Sequence, residues 1–185
     1  MEMEIFRIGD KLVSKHKINS MIDKILTLRV EGFSQQEAAK RLEIDRTFIS
    51  RLEGIGEVRK GSRIAVVGFP IKNKQEITRM LEQLGVDYQL LMTEEERQIF
   101  INDKDGPTLL AEFMHLVTIV RDYDVVVFLG SNYRIKISEA MLDREVVGVV
   151  IGESPITEDV YVDAQELKQL IQSLIIPKTQ EAKNQ

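Results

Sequence analysis

Apolar residues follow two different periods in the two parts of the chain. Over residues 18–28 they recur about every 3.6 positions, which predicts an amphipathic helix. From residue 63 onward, short β-branched runs alternate with amphipathic segments, a pattern typical of strands alternating with helices. Residues 54–61 have neither period and include three glycines. The pattern therefore predicts a helical N-terminal module, a connector and an α/β domain.

Charge divides along the same line. We assign residues 1–54 to the helical module, 55–62 to a linker, 63–177 to the α/β domain and 178–185 to a flexible tail. Residues 1–62 carry 12 Lys and Arg against 10 Asp and Glu, whereas the remainder carries 13 against 20. This distribution is expected where only the first part of a protein meets nucleic acid.

Two short helices are predicted after the first. Ser34 and Glu37 have the spacing of a capping box, in which each side chain satisfies a free backbone N–H group. This second helix runs to about Leu42, and after a tight turn Asp45 is a good N-cap for a third helix over residues 46–53. A small residue, Ala39, stands where the two helices must approach closely.

The segment Ser34–Glu53 resembles the Xre/Cro-like helix-turn-helix motif of repressors. The resemblance implies that the third helix lies in the major groove of double-stranded DNA, where arginines reach phosphates or guanine edges and hydroxyls read base edges. Carried over residue by residue, it assigns DNA binding to Gln35, Gln36, Arg46, Thr47, Ser50 and Arg51. The alternative is a helical module whose arginines are simply solvated.

The chain departs from that family at two places. The family usually has glycine where this chain has Glu43, which predicts a non-glycine residue held in a left-handed conformation. The family also usually has two further helices, whereas here the linker follows at once. We therefore expect residues 5–17 to complete the core of a three-helix module.

The pattern over residues 63–177 predicts an α/β fold with a doubly wound, Rossmann-like parallel sheet, which we assign to no family. Its strands are expected over residues 63–69, 86–92, 125–129, 146–151 and, as a short fifth, 160–162, in the order 2-1-3-4-5. Ligands bind such sheets beyond the carboxyl ends of the strands, where the order reverses between strands 1 and 3.

The loops at that point predict a site for a small polar or anionic effector. Each opens with a glycine directly after a strand, as close backbone approach would require. Asn73 and Glu76 form another capping-box pattern beside two lysines. The candidate residues are Gly68, Lys72, Asn73, Lys74, Gly130, Ser131, Asn132, Tyr133 and Arg134. The alternative is that these are ordinary strand-to-helix turns.

Several chemistries are excluded. The chain has no Cys and two His, which removes disulfides, thiolate sites and histidine-based zinc sites. No phosphate-binding loop, dinucleotide fingerprint or Ser/His/Asp set is present, so we expect no catalytic residue, metal or cofactor. The first ten residues contain acidic side chains and lack the apolar segment of a signal peptide. No apolar run is long enough to cross a membrane.

Together these features predict a cytoplasmic transcriptional regulator that is not an enzyme. Its partners would be double-stranded DNA and a small effector, and the α/β domain would sense the effector or hold a homodimer. The alternatives are a nucleotide- or metabolite-binding enzyme with an accessory helical module, and a scaffold whose sheet domain only oligomerises.

Overall fold

Two units, Met1–Glu57 and Val58–Gln185, make up the chain. The structure, a computed structural model, describes residues 4–58 and 60–175. The predicted tail, 178–185, lies outside the described residues.

The N-terminal unit is mixed rather than purely helical. It contains β1 (Ile5–Ile8), β2 (Lys11–Ser14), α1 (Lys15–Val30), α2 (Gln35–Leu42) and α3 (Arg46–Gly56). The two strands form an antiparallel hairpin with Phe6 opposite Val13, and Gly9 adopts a φ of 59° in the turn. The expectation that residues 5–17 complete the helical core is wrong, because the apolar side chains of this hairpin, such as Ile8 and Leu12, are exposed.

The core of this unit is built from the three helices. Ile25 of α1, Ala38 and Ala39 of α2, and Ile49 of α3 are buried together. The predicted capping box at the start of α2 is confirmed, since Ser34 Oγ accepts from the Glu37 N–H and the Glu37 carboxylate accepts from the Ser34 N–H. Short-range caps and one small core therefore fix the positions of α2 and α3.

The second unit is an α/β structure around a parallel sheet. Its elements are β3 (Ile64–Gly68), α4 (Lys74–Leu84), β4 (Tyr88–Leu91), α5 (Glu94–Asn102), α6 (Gly106–Val120), β5 (Val125–Ser131), α7 (Asn132–Met141), β6 (Glu145–Gly152) and α8 (Ala164–Leu174). The four strands pair in the order β4-β3-β5-β6, all parallel. The order reverses between β3 and β5, as expected.

Helices cover both faces of this sheet. On one face, residues of α4 and α8 such as Ile77 and Ile171 pack against alternate positions of β3 and β5. On the other, Val120 of α6 and Ile135 of α7 pack against Val126 and Phe128. The central strands β3 and β5 are buried along their whole length, as continuous apolar runs predict.

The predicted five-strand order 2-1-3-4-5 is wrong. The segment expected as the fifth strand does not extend the sheet beside β6. Instead Val160 forms an isolated parallel bridge with Ile71, and the backbone N–H of Val160 donates to the Pro70 carbonyl at 3.2 Å. This segment therefore lies beside the end of β3, close to the middle of the sheet.

The predicted linker, 55–62, is shorter in the structure. The helix α3 continues to Gly56, beyond its predicted end. At the other end, the Gly61 N–H donates to the Leu174 carbonyl at 3.0 Å, and the Ser62 N–H donates to Asp124 Oδ2 at 3.0 Å. The last two residues of the predicted linker are thus held within the second unit.

Candidate nucleic-acid interface and ligand cavity

One face of α3 is polar and open to solvent. Arg46, Thr47, Ser50 and Arg51 are all exposed, while Ile49 between them is fully buried. Asp45 caps the helix, with its Oδ1 accepting from the Thr47 N–H at 2.6 Å. Hydrogen bonding from Thr47, from its side chain first and then its backbone, lowers the pKa of the Asp45 carboxyl. The four predicted DNA-binding residues of α3 therefore share one accessible surface.

The turn between α2 and α3 has the predicted conformation. Glu43 ends α2 with φ 55° and ψ 42°, in the left-handed region, and its N–H donates to the Ala39 carbonyl. Among the described residues it is the one non-glycine with positive φ. The backbone thus takes the course that a glycine would take here without strain.

Gln35 is placed differently from Gln36. Gln36 is exposed, whereas Gln35 is half-buried and its Nε2 donates to Glu53 Oε2 at 2.7 Å. Glu53 Oε1 accepts from Arg29 Nε at 2.5 Å, and Arg29 also donates to the Phe33 carbonyl. These hydrogen bonds, with that of Arg29 first, lower the pKa of the Glu53 carboxyl. Gln35 is therefore oriented by side chains from α1 and α3.

Phe48 is a candidate that the sequence pattern did not single out. Its ring follows Thr47 on α3 and is 46% exposed. An apolar residue at a solvent-facing position of a DNA-contacting helix can touch a thymine methyl group. The signal available in the sequence was its register, one residue before the buried Ile49.

The glycines and serine of the predicted effector site serve the fold. A Cβ at Gly130 would lie 2.7 Å from the Phe128 ring, and one at Gly68 would lie 3.0 Å from Leu129. Ser131 is fully buried and its Oγ accepts from the Arg134 N–H as the N-cap of α7. Side-chain packing and capping therefore account for these three residues, Gly68, Gly130 and Ser131.

The lysine-rich loop faces a polar cleft. Lys72, Asn73 and Lys74 line an open cleft of about 800 Å³ at the first turns of α4 and α8. Lys74 Nζ lies 2.6 Å from Glu96 Oε1, so this charge is already paired. The capping box predicted for Asn73 is wrong. Its amide makes no cap to the backbone of α4 and instead hydrogen-bonds with both the N–H and the carbonyl of Val162.

The residues after β5 lie elsewhere. Helix α7 begins at Asn132, directly after β5, so Asn132, Tyr133 and Arg134 form its first turn rather than a loop. Asn132 and Tyr133 are exposed, and Arg134 lines a second cavity, of about 520 Å³. The structure therefore does not bring the two halves of the predicted effector site into one pocket.

The second cavity lies between the sheet and helices α5, α6 and α7. Its lining side chains are apolar except for Arg97, Arg134 and Ser138. Arg97 forms an ion pair with Glu94, Nη2 to Oε1 at 2.5 Å, and this pairing lowers the pKa of Glu94 to about 2. Burial and then the neighbouring Arg97 charge lower the pKa of Arg134. Sequence reasoning missed Arg97 because it considered only the loops that follow the strands.

Over residues 4–58 and 60–175 the structure contains no group of three His, Asp or Glu side chains that could hold a metal ion. Within the same part of the chain, no helix has the length and apolar composition needed to cross a membrane.

No known protein family matches this chain, and no curated protein or solved structure is significantly similar to it.

Proposed function

We propose that this chain is a cytoplasmic, sequence-specific DNA-binding regulator of transcription. Residues 34–53 would act as an Xre/Cro-like helix-turn-helix, and the Rossmann-like second unit would sense a small effector or hold a homodimer. The observation that carries the proposal is the exposed face of α3. Four groups able to contact DNA share it, on a helix capped by Asp45 and anchored by the buried Ile49.

Three features of the surrounding unit support this role. Ala38 and Ala39 of α2 are buried in one cluster with Ile49 of α3. Glu43 occupies the left-handed turn position. Gln35, which the resemblance places at the DNA, is oriented by Glu53. Together these features hold α3 in a fixed position against α2, as presentation of a recognition helix requires.

The alternative, a metabolite-binding enzyme with an accessory helical module, has less support. In the larger, polar cleft beside Lys72, the charge of Lys74 is neutralised by Glu96. The second cavity offers three polar side chains among apolar ones. In the first, Thr93 and Glu96 lie together but form the capping box of α5, and Glu96 also pairs with Lys74. Among the side chains that line the second, no carboxylate or imidazole accompanies the Ser138 hydroxyl as a base.

The direct test is selection of bound sequences from a pool of random DNA duplexes by the full-length protein. We expect an enriched sequence, bound with an affinity that falls steeply as salt rises, because phosphate contacts release counterions. Arg46→Ala and Arg51→Ala should each weaken binding to that sequence by about 1–3 kcal/mol. Arg79→Ala, at an exposed position of α4, is the matched control.

The selection also contains the outcome that would refute the proposal. A pool that emerges without any enriched sequence, together with salt-independent binding, would leave α3 without a role in recognition. An Arg79→Ala loss equal to that of Arg46→Ala would instead place DNA on the second unit.

A further inference from the structure

The cavity of about 520 Å³ between α5, α6, α7 and the sheet has the size of a small-molecule site. The chain has seven phenylalanines, and all four that belong to the second unit line this cavity: Phe69, Phe100, Phe113 and Phe128. Two of them, Phe69 and Phe128, meet edge to face with ring centroids 5.7 Å apart. The wall therefore suits a large apolar or aromatic body.

Charge is confined to one end of the cavity. Arg97 and Arg134 lie near the carboxyl ends of the strands, whereas Val120 and Leu142, which precede β5 and β6, line the opposite end. Arg97 donates from Nε and Nη2 to the two carboxylate oxygens of Glu94, at 2.8 and 2.5 Å. Gln98 Nε2 also donates to Glu94 Oε1 at 2.8 Å, so side chains of α5 already satisfy that carboxylate.

Arg134 has no such partner. Among the described residues it forms no ion pair, and its Nη1 donates only to the Phe69 carbonyl, at 3.4 Å. Its guanidinium lies over the Phe69 ring, 5.0 Å from the centroid. With Glu94 and Arg97 compensating each other, the half-buried end of the cavity carries one uncompensated positive charge. Such a charge is costly away from water unless an anion reaches it.

We propose that this cavity binds a small amphipathic carboxylate, whose apolar acyl or aryl body lies against the phenylalanines and whose carboxylate meets Arg134. A guanidinium matches a carboxylate with two parallel hydrogen bonds. Nucleotides and sugars fit poorly, because their many hydroxyls would find only Arg97, Arg134 and Ser138 as polar side chains. The inference deepens the effector-sensing half of the proposed function and rests on it for its regulatory meaning.

The test compares two fluorescent probes that differ in charge, pyrenebutyrate and pyrenebutanol, titrated into the full-length protein. We expect saturable binding of the acid at least about ten-fold tighter than that of the alcohol, a difference of about 1.4 kcal/mol. Arg134→Met should abolish this preference and Arg134→Lys should retain most of it. Val117→Trp, which fills the cavity, should weaken both probes. Arg79→Met, on the exposed surface of α4, should change neither.

Each contrary outcome overturns the inference in a recognisable way. Equal affinity for acid and alcohol in the wild-type protein would show that Arg134 selects no anion. No saturable binding would show that the cavity takes no such ligand. Binding insensitive to both Arg134→Met and Val117→Trp would place the probe elsewhere.

DNA binding measured on the same preparations separates this inference from the proposed function. Sequence-specific DNA binding without carboxylate binding would remove only the ligand. Carboxylate binding without DNA binding would support the ligand site and contradict the proposed role as a DNA-binding regulator.

Discussion

Gln35 donates from its side-chain amide to Glu53 at 2.7 Å, joining the first residue of α2 to the third turn of α3. The same carboxylate holds Arg29 of α1, so one acidic group connects all three helices. Glu53 is less exposed than Arg46 and Arg51 of α3. The orientation of Gln35, a candidate DNA contact, therefore depends on a partly buried residue.

Removing that acceptor should affect both stability and DNA binding. Glu53→Ala leaves Gln35 and Arg29 without their shared partner, so we expect lower stability of the N-terminal unit and weaker binding to the selected DNA sequence. Denaturant unfolding and a DNA titration measure the two effects. Glu57→Ala, just beyond α3 and exposed, should leave both unchanged. Lower stability with unaltered DNA affinity would show that the network is structural only.

Enlarging Ala39 should destabilise the N-terminal unit. It is 5% exposed and belongs to the cluster with Ile25 and Ile49. Ala39→Leu should overpack this contact and cost about 1–3 kcal/mol in the free energy of unfolding. Lys40→Leu, at the exposed neighbouring position, is the control. A melt of Ala39→Leu as stable as that of Lys40→Leu would contradict the tight packing of α2.

Glycine at position 43 should stabilise the same unit. The φ of 55° strains glutamate but not glycine, so Glu43→Gly should raise the free energy of unfolding by about 1 kcal/mol. The same change at Glu31, which ends α1 with φ −69°, relieves no strain and should lower stability. Calorimetry of the two variants distinguishes them. If Glu43→Gly instead lowers the free energy of unfolding as much as Glu31→Gly does, the chain-entropy cost of glycine outweighs the relief of strain at position 43.

These local features are the ones that the sequence predicts well. The caps at Ser34 and Asp45 need only residues two or three positions away, and their spacing is visible in the sequence. The cap predicted at Asn73 fails because its amide pairs with Val162, which is distant along the chain. The fifth strand fails for the same reason, since Val160 finds its backbone partners beside Ile71.

The candidate sites follow the same division. The exposed face of α3 depends on helical spacing alone, so four residues could be named correctly as sharing a surface. The cavity depends on three helices folding over one face of the sheet, and no local pattern joins Arg97 to Arg134. The highly apolar composition of α6 is typical of a buried helix, yet Leu110 and Met114 are more than half exposed.

Acid should weaken the second unit through Glu94. Its ion pair with Arg97 lowers its pKa from 4.5 to about 2, so the stabilisation is complete above the ordinary value and is lost as pH falls towards 2. We expect the stability difference between the wild-type protein and Glu94→Gln to be largest near neutral pH and to shrink below pH ~4. Urea unfolding at several pH values measures it, with Glu95→Gln as the exposed neighbour. A difference that grows on acidification would reverse the assigned sign.

We expect the protein to form a homodimer through the second unit. A module of three helices makes few base contacts, and two-fold dimers reach half-sites about 34–36 Å apart. Among the described strands β6 pairs with β5 alone, and this apolar strand of eight residues leaves one edge open. Sedimentation equilibrium of the full chain at tens of micromolar should show a dimer that Val150→Lys weakens.

Val150 is 61% exposed on β6, and Val30, 89% exposed on α1, offers the matched substitution. Val30→Lys should leave the dimer intact. A dimer lost with Val30→Lys but kept with Val150→Lys would assign the interface to the N-terminal unit. A wild-type protein that sediments as a monomer would contradict the predicted homodimer.

Gly61 and Ile175 form a parallel bridge at the point where the chain enters and leaves the described part of the second unit. A Cβ at Gly61 would lie 2.7 Å from Asp124 Cβ, so the entering backbone is seated closely. The first and last residues of this part of the α/β unit lie side by side, as in domains that tolerate insertion into another protein. A host loop could receive residues 61–175 at two neighbouring positions. Because the bridge is parallel, a link that closes the unit for circular permutation must be long enough to reverse direction between residues 175 and 61.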